Sequence, residues 1–225
     1  MDTKLLDAEI SRKLARQFGS KFIKILEDSP TLRRDLRKLH TLGARIQRWN
    51  GRDGAYCRSE PSHRRGTFIA IGSLCSPIMK AIYLAHEAYH ALYGTTPNNP
   101  NPTKISRKRY LSMGIAEETR AFLHQTKVAN ELWNSGNHVI PAWQMHLMLL
   151  YHTSGYTDMR EHVLACRESI AFGTYEQNYG KIWDQAYRQF ERERREKLAA
   201  RRPRSLKSRN RPKQGVRDRM QDHIA

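Results

Sequence analysis

Cysteine is scarce in this chain. Its 225 residues hold three, Cys57, Cys75 and Cys166, with no two in a C-x-x-C spacing. That excludes a disulfide framework and a cysteine-built zinc finger, and it suits a reducing interior. Long apolar runs are missing too: no stretch approaches the ~20 residues that a membrane helix needs. Met1 to Glu27 alternates charged and apolar residues and carries no signal-peptide core. Acidic residues are few beside basic ones, 22 Asp and Glu against 40 Lys and Arg, for a formal charge of +18. No internal repeat is evident, and no helix-turn-helix or RNA-binding motif accompanies the charge.

What is present begins with His86-Glu87-Ala88-Tyr89-His90. Residues four apart share a helix face, so an H-E-x-x-H pair can aim both imidazoles at one metal ion. Glu87, beside the first histidine, is then placed as a general base that does not ligate. The flanks predict a helix. Ser76-Pro77 is an N-cap followed by proline at the first helical position, and Gly94 stands where a left-handed glycine cap would end it. The residues between are apolar almost all round, so the helix belongs in a core. There, uncompensated histidines and a glutamate would be costly. Just before it, Gly66 to Gly72 is short, apolar and bounded by glycines and reads as a strand. A strand leading into a metal-binding helix resembles the start of a zincin active site, and that likeness implies a cleft edge where an extended peptide can pair; the alternative is a buried strand with no substrate role.

A catalytic zinc usually takes a third protein ligand and leaves one position for water. The next helical stretch offers Glu117 and Glu118. Here the sequence resembles zincin metallopeptidases of the HExxH…E kind. Glu117-Glu118-Thr119-Arg120-Ala121-Phe122 is similar to the E-E-x-R stretch of clostridial neurotoxin light chains and of small secreted effector metallopeptidases. That resemblance implies Zn2+ bound by His86, His90 and Glu117, with Glu118 behind the ligands and Arg120 holding the site together. Ala121 and Leu123 depart from the pattern, where Thr and Gly are usual. A second resemblance is to bacterial metallopeptidases that cleave phage-type repressors, in which Leu84 to Leu92 and Glu118 to Phe122 carry the likeness. Both imply peptide-bond hydrolysis with Glu87 as base. For the second electrophile at the oxyanion, the sequence offers Tyr151, Tyr156, Tyr175, Tyr179, His146 and His152 without choosing.

The expected fold is α+β, mostly α-helical, a zincin-like core with a small β-sheet around the H-E-x-x-H helix. Residues 1–50 are expected as an N-terminal helical region packed on the core, with helices over Leu5–Glu27 and Thr31–Trp49. Residues 51–200 form the metallopeptidase core: Gly51–Arg65 a polar loop, 95–104 a proline-rich loop, then helices over Ile105–Asn134, Pro141–Tyr151, Thr157–Phe172 and Gly180–Arg201. Residues 201–225 form a basic, disordered tail able to meet nucleic acid or an anionic surface. The principal partner is a protein substrate. The setting is cytoplasmic, or effector-like export without a cleaved signal. The alternative function is a basic nucleic-acid-binding protein whose zinc site is structural or inactive.

Overall fold

A computed structural model of the protein describes residues 6–58, 66–153, 155–169 and 173–201. Apart from Arg201, the expected tail 201–225 lies outside the described residues, as does the 59–65 part of the polar loop. The chain is mostly helical with a small three-stranded mixed sheet, as the composition and patterning predicted. In order, the elements are α1 (Ala8–Phe18), α2 (Ser20–Glu27), α3 (Pro30–Thr41), β1 (Arg45–Trp49), β2 (Ala55–Arg58), β3 (Phe68–Gly72), α4 (Pro77–Tyr93), α5 (Arg107–Asn134), α6 (Ala142–Thr153), α7 (Tyr156–Ala165), β4 (Arg167–Ser169), β5 (Gly173–Thr174) and α8 (Tyr175–Arg201).

Local chemistry sets the helix starts. The hydroxyls of Ser29, Ser76 and Ser106 accept hydrogen bonds from the amides of Leu32, Met79 and Arg109 at the heads of α3, α4 and α5. The single helix expected over Leu5–Glu27 is two, because Gly19 takes φ 88° and turns the chain. The helix expected over Thr31–Trp49 stops at Thr41, and Arg45–Trp49 is a strand. The polar loop also contains a strand, β2, and Thr157–Phe172 ends its helix at Ala165 before β4. β1 and β2 each pair with β3, well separated along the chain, and local periodicity carries no trace of that partner; β4 pairs with the nearby β5.

The main sheet has the order β1-β3-β2, with β1 parallel and β2 antiparallel to β3. Gly66–Gly72 was expected at a cleft edge. Its strand β3 instead lies in the middle, with Ile69 and Ile71 fully buried. The open edges belong to β1 and β2. Leu14, Phe22, Leu26, Leu32 and Leu36 of the N-terminal helices share one hydrophobic core with Ile82, Leu84 and Ala88 of α4 and Val128 and Leu132 of α5. These N-terminal helices pack on the remainder, and residues 45–49 supply one of its strands.

α5, 28 residues and about 42 Å long, is tied down on several sides. Glu131 accepts from the Ser29 and Thr31 hydroxyls and the Thr31 amide at 2.5, 2.6 and 3.0 Å. His124 meets the fully buried Asp35 of α3 at 2.6 Å. Gln125 donates to Gln144 of α6 at 2.6 Å. These contacts fix how α5 lies along α4, and with it the site between them.

Candidate metal centre

α4 presents His86 and His90 on the face that α5 covers. Their Nε2 atoms stand 3.2 Å apart. Glu118 Oε2 completes the triangle, 3.3 Å from His86 Nε2 and 3.5 Å from His90 Nε2. Zinc with bonds of about 2.0–2.1 Å sets tetrahedral ligands about 3.3 Å apart. The three atoms therefore form one face of such a tetrahedron, and His86, His90 and Glu118 are the one group among the described residues spaced to hold a metal. Two of their atoms, His86 Nδ1 and Glu118 Oε2, are buried without a hydrogen-bond partner. For Oε2 a cation supplies what the protein does not.

The carboxylate that joins the histidines is Glu118, whereas Glu117 was the expected ligand. The correction has a geometric cause. Neighbours on a helix point about 100° apart, and the angle at which α5 docks selects one of them. Glu117 turns toward the end of α4 instead. Its Oε1 lies 2.9 Å from His90 Nδ1, and its Oε2 accepts from the Thr95 and Thr96 amides at 2.8 and 2.7 Å. A carboxylate on Nδ1 holds the proton there and leaves the Nε2 lone pair for metal. In position, each glutamate stands where the neurotoxin-like resemblance would put the other.

The surroundings are built for this exchange. Gly94 does not take a left-handed cap; it is extended, with φ −61° and ψ 135°. What matters is its missing side chain, since a Cβ there would stand 2.7 Å from Glu117 Oε1. Gly114 plays the matching part for Glu118. A Cβ there would lie 2.6 Å from the Tyr179 ring, and Tyr179 Oη donates to Glu118 Oε1 at 2.8 Å. Burial and the Glu118 charge push the Tyr179 phenol well above its ordinary pKa, so it stays a donor. Tyr179 thus fixes the Glu118 carboxylate, and its hydroxyl is turned to that carboxylate.

Charge agrees with geometry. Burial alone would raise the Glu118 pKa, yet the two imidazoles beside it hold it well below the carboxylate range. Burial likewise works to raise Glu117, and His90 with the Thr95 and Thr96 amides brings it below the ordinary value. Burial would lower His90, but Glu117 and Glu118 pull it well above. Two carboxylates that draw a proton onto a buried histidine mark a site short of positive charge. A divalent cation meets that shortage.

Glu87 is half-buried beside this triangle. Burial raises its pKa most, Glu118 adds to the rise, and His86, His90 and the Cys57 backbone amide oppose it. The Cys57 contact locates the sheet. Gly72 N–H donates to Gly54 O at 2.7 Å, and the register pairs Ala55 with Ile71 and Tyr56 with Ala70. By antiparallel alternation the backbone groups of Ala55 and Cys57 therefore face away from β3. β2, not β3, brings an open edge to Glu87.

Arg120, expected to hold the site together, is exposed, and the bonds of both glutamates go to other residues. Among the oxyanion candidates, Tyr156 and His152 are exposed, and Tyr151 packs on His152. Tyr175 stands against Phe122, which stands against His86, with ring centroids 6.1 and 4.9 Å apart. His146 reaches the same wall through His162, which also touches Phe122. Sequence reasoning did not single out His162, which belongs to no motif; Phe122 closes the Glu117–Phe122 stretch but was given no role, and the packing of α7 on α5 brings the two together.

Compared with known protein families, curated proteins and solved structures, the chain has no match.

Proposed function

We propose that the protein is a zinc-dependent endopeptidase with His86, His90 and Glu118 as ligands and Glu87 as general base. The observation that supports this most is the triangle of two Nε2 atoms and one carboxylate oxygen, 3.2–3.5 Å on each side, with Glu87 at its rim. When bound there, zinc would polarise a water and the scissile carbonyl. Glu87 takes the proton of the attacking water and passes it to the leaving nitrogen. Burial raises its pKa, which makes Glu87 a better proton acceptor. The outward edge of β2 can take an extended substrate backbone at Ala55 and the Cys57 carbonyl, with the Cys57 amide held by Glu87. Tyr83, one turn before Glu87, stacks on the exposed Trp143 of α6 at 6.4 Å, an apolar wall for a substrate side chain. Ligation by Glu118 is the assignment that the likeness to repressor-cleaving metallopeptidases implies.

The test is metal analysis joined to a search for new protein N-termini after expression of wild type and Glu87→Gln. Zinc in both proteins, with new N-termini from wild type alone, is the expected result. Absence of zinc after reconstitution, or identical N-termini from both, overturns the reading.

A further inference from the structure

The face of α5 turned away from the metal carries a second feature. Arg109, Ser112, Met113, Ala116 and Arg120 recur at helical spacing, and with Thr95, Ser106 and Lys108 they line an open hollow of about 530 Å3. Three of these residues are cations, all exposed, and none is an acid. Among the described residues, no hydrogen bond or ion pair engages the side chain of Lys108, Arg109 or Arg120. Arg107, just outside the hollow, shows the contrast, since it pairs with Asp184 at 3.0 Å.

The placement runs against the helix's own electrostatics. The N-terminus of a helix favours negative charge, yet α5 has no acid in its first turn and begins Arg107-Lys108-Arg109. An anion in the hollow reverses that conflict, meeting both the cations and the helix head. The cations are also spread out. Arg109 to Arg120 is 11 residues, about 16 Å of helix, too long a row for one phosphate and suited to a chain of them. The lining contains no aromatic ring, so it lacks the stacking platform on which single strands are held.

We propose that this hollow binds the phosphate backbone of a double-stranded nucleic acid without reading its sequence. The site is built from residues 95–120, a part of the chain distinct in sequence from the basic C-terminal segment. It does not depend on the metal site being catalytic.

The test uses the full chain and a fluorescent ~20-base-pair duplex, with affinity followed against salt. Two triple variants are compared, each removing three positive charges from the formal +18. One is Lys108→Ala/Arg109→Ala/Arg120→Ala. The other is Arg12→Ala/Lys21→Ala/Lys24→Ala on the exposed faces of α1 and α2. The hollow variant is expected to lose at least ~10-fold in affinity at about 100 mM salt and to flatten the log–log salt slope by up to about 2.7, about 0.9 per phosphate contact. The control should stay near wild type, and Arg109→Lys/Arg120→Lys, which keeps the charges, should retain most of the binding. Equal losses from both triple variants, loss in the charge-keeping variant, or no duplex binding by wild type would overturn the proposal. So would polyglutamate displacing the duplex at equal charge concentration, or a single strand binding more tightly than the duplex.

Discussion

α4 and α5 supply the metal triangle by different means. On α4 everything is local: His86 and His90 share a face because they are four apart, and Glu87 sits beside the first. On α5 nothing is. Glu118, not Glu117, meets the histidines because Gly114 admits Tyr179, because Glu117 is drawn off by His90 and two loop amides, and because Asp35, Gln144 and the α3 cap fix how the helix lies. A motif within one helix is dictated by its period. A ligand from a second helix is dictated by docking, which sequence spacing does not encode.

The largest effect should come from removing a ligand on either helix. His90→Ala and Glu118→Ala are both expected to abolish stoichiometric zinc binding. Metal retained in Glu118→Ala but lost in Glu117→Ala would restore the assignment first implied by sequence.

Glu87→Gln sharpens the α4 side. It should keep zinc and lose about 10²–10⁴-fold in kcat, the usual worth of a general base. A loss of metal in this variant would make Glu87 a ligand.

Glu117→Ala sharpens the α5 side. With His90 unsupported, zinc affinity should fall about 10–100-fold in a competition titration, without the site being lost. Indifference to this change would mean that the Nδ1 contact does not orient the ring.

Gly114→Ala tests the docking itself. The added methyl meets the Tyr179 ring and should cost about 1–3 kcal/mol of stability in denaturant unfolding. Tyr179→Phe keeps the packing and should cost less. If the two are equal, the hydrogen bond and not the space is what counts.

The smallest effect is alkaline. Burial first, with Glu87 and Glu117 nearby, raises the Cys57 thiol to about 12. A thiol whose pKa is higher folded than unfolded favours the native state fully below its unfolded value of about 8.5. That contribution is lost as pH rises from there toward 12. Thermal scans of the metal-free protein between pH 8 and 11 should show a decline, smaller in Cys57→Ala. At pH 8 the folded thiol should alkylate slowly.

The two helices also explain what the sequence disclosed. α4 was legible from Ser76, Pro77 and apolar periodicity, and α5 as the helix over Ile105–Asn134; α3 was legible near its start but not at its end. The three H-E-x-x-H residues were legible because their geometry is internal to α4. β1 and β2 were not, since Arg45–Trp49 continues a helical-looking pattern and Ala55–Arg58 is flanked by polar residues. Each becomes a strand by pairing with β3. Glu117 and Glu118 were legible as a pair but not in order, and Arg120 was placed by resemblance alone. Tyr179 could be named but not assigned, because 61 residues separate it from Glu118.

The bonds from Thr95 and Thr96 to Glu117 are made by main-chain N–H groups. Every amino acid but proline carries that donor. At Thr95, which is exposed, the side chain can therefore change over evolutionary time while the donor to Glu117 persists, and proline is the replacement that removes it. At Thr96 the hydroxyl is buried and also lies by Glu117, so drift there is narrower.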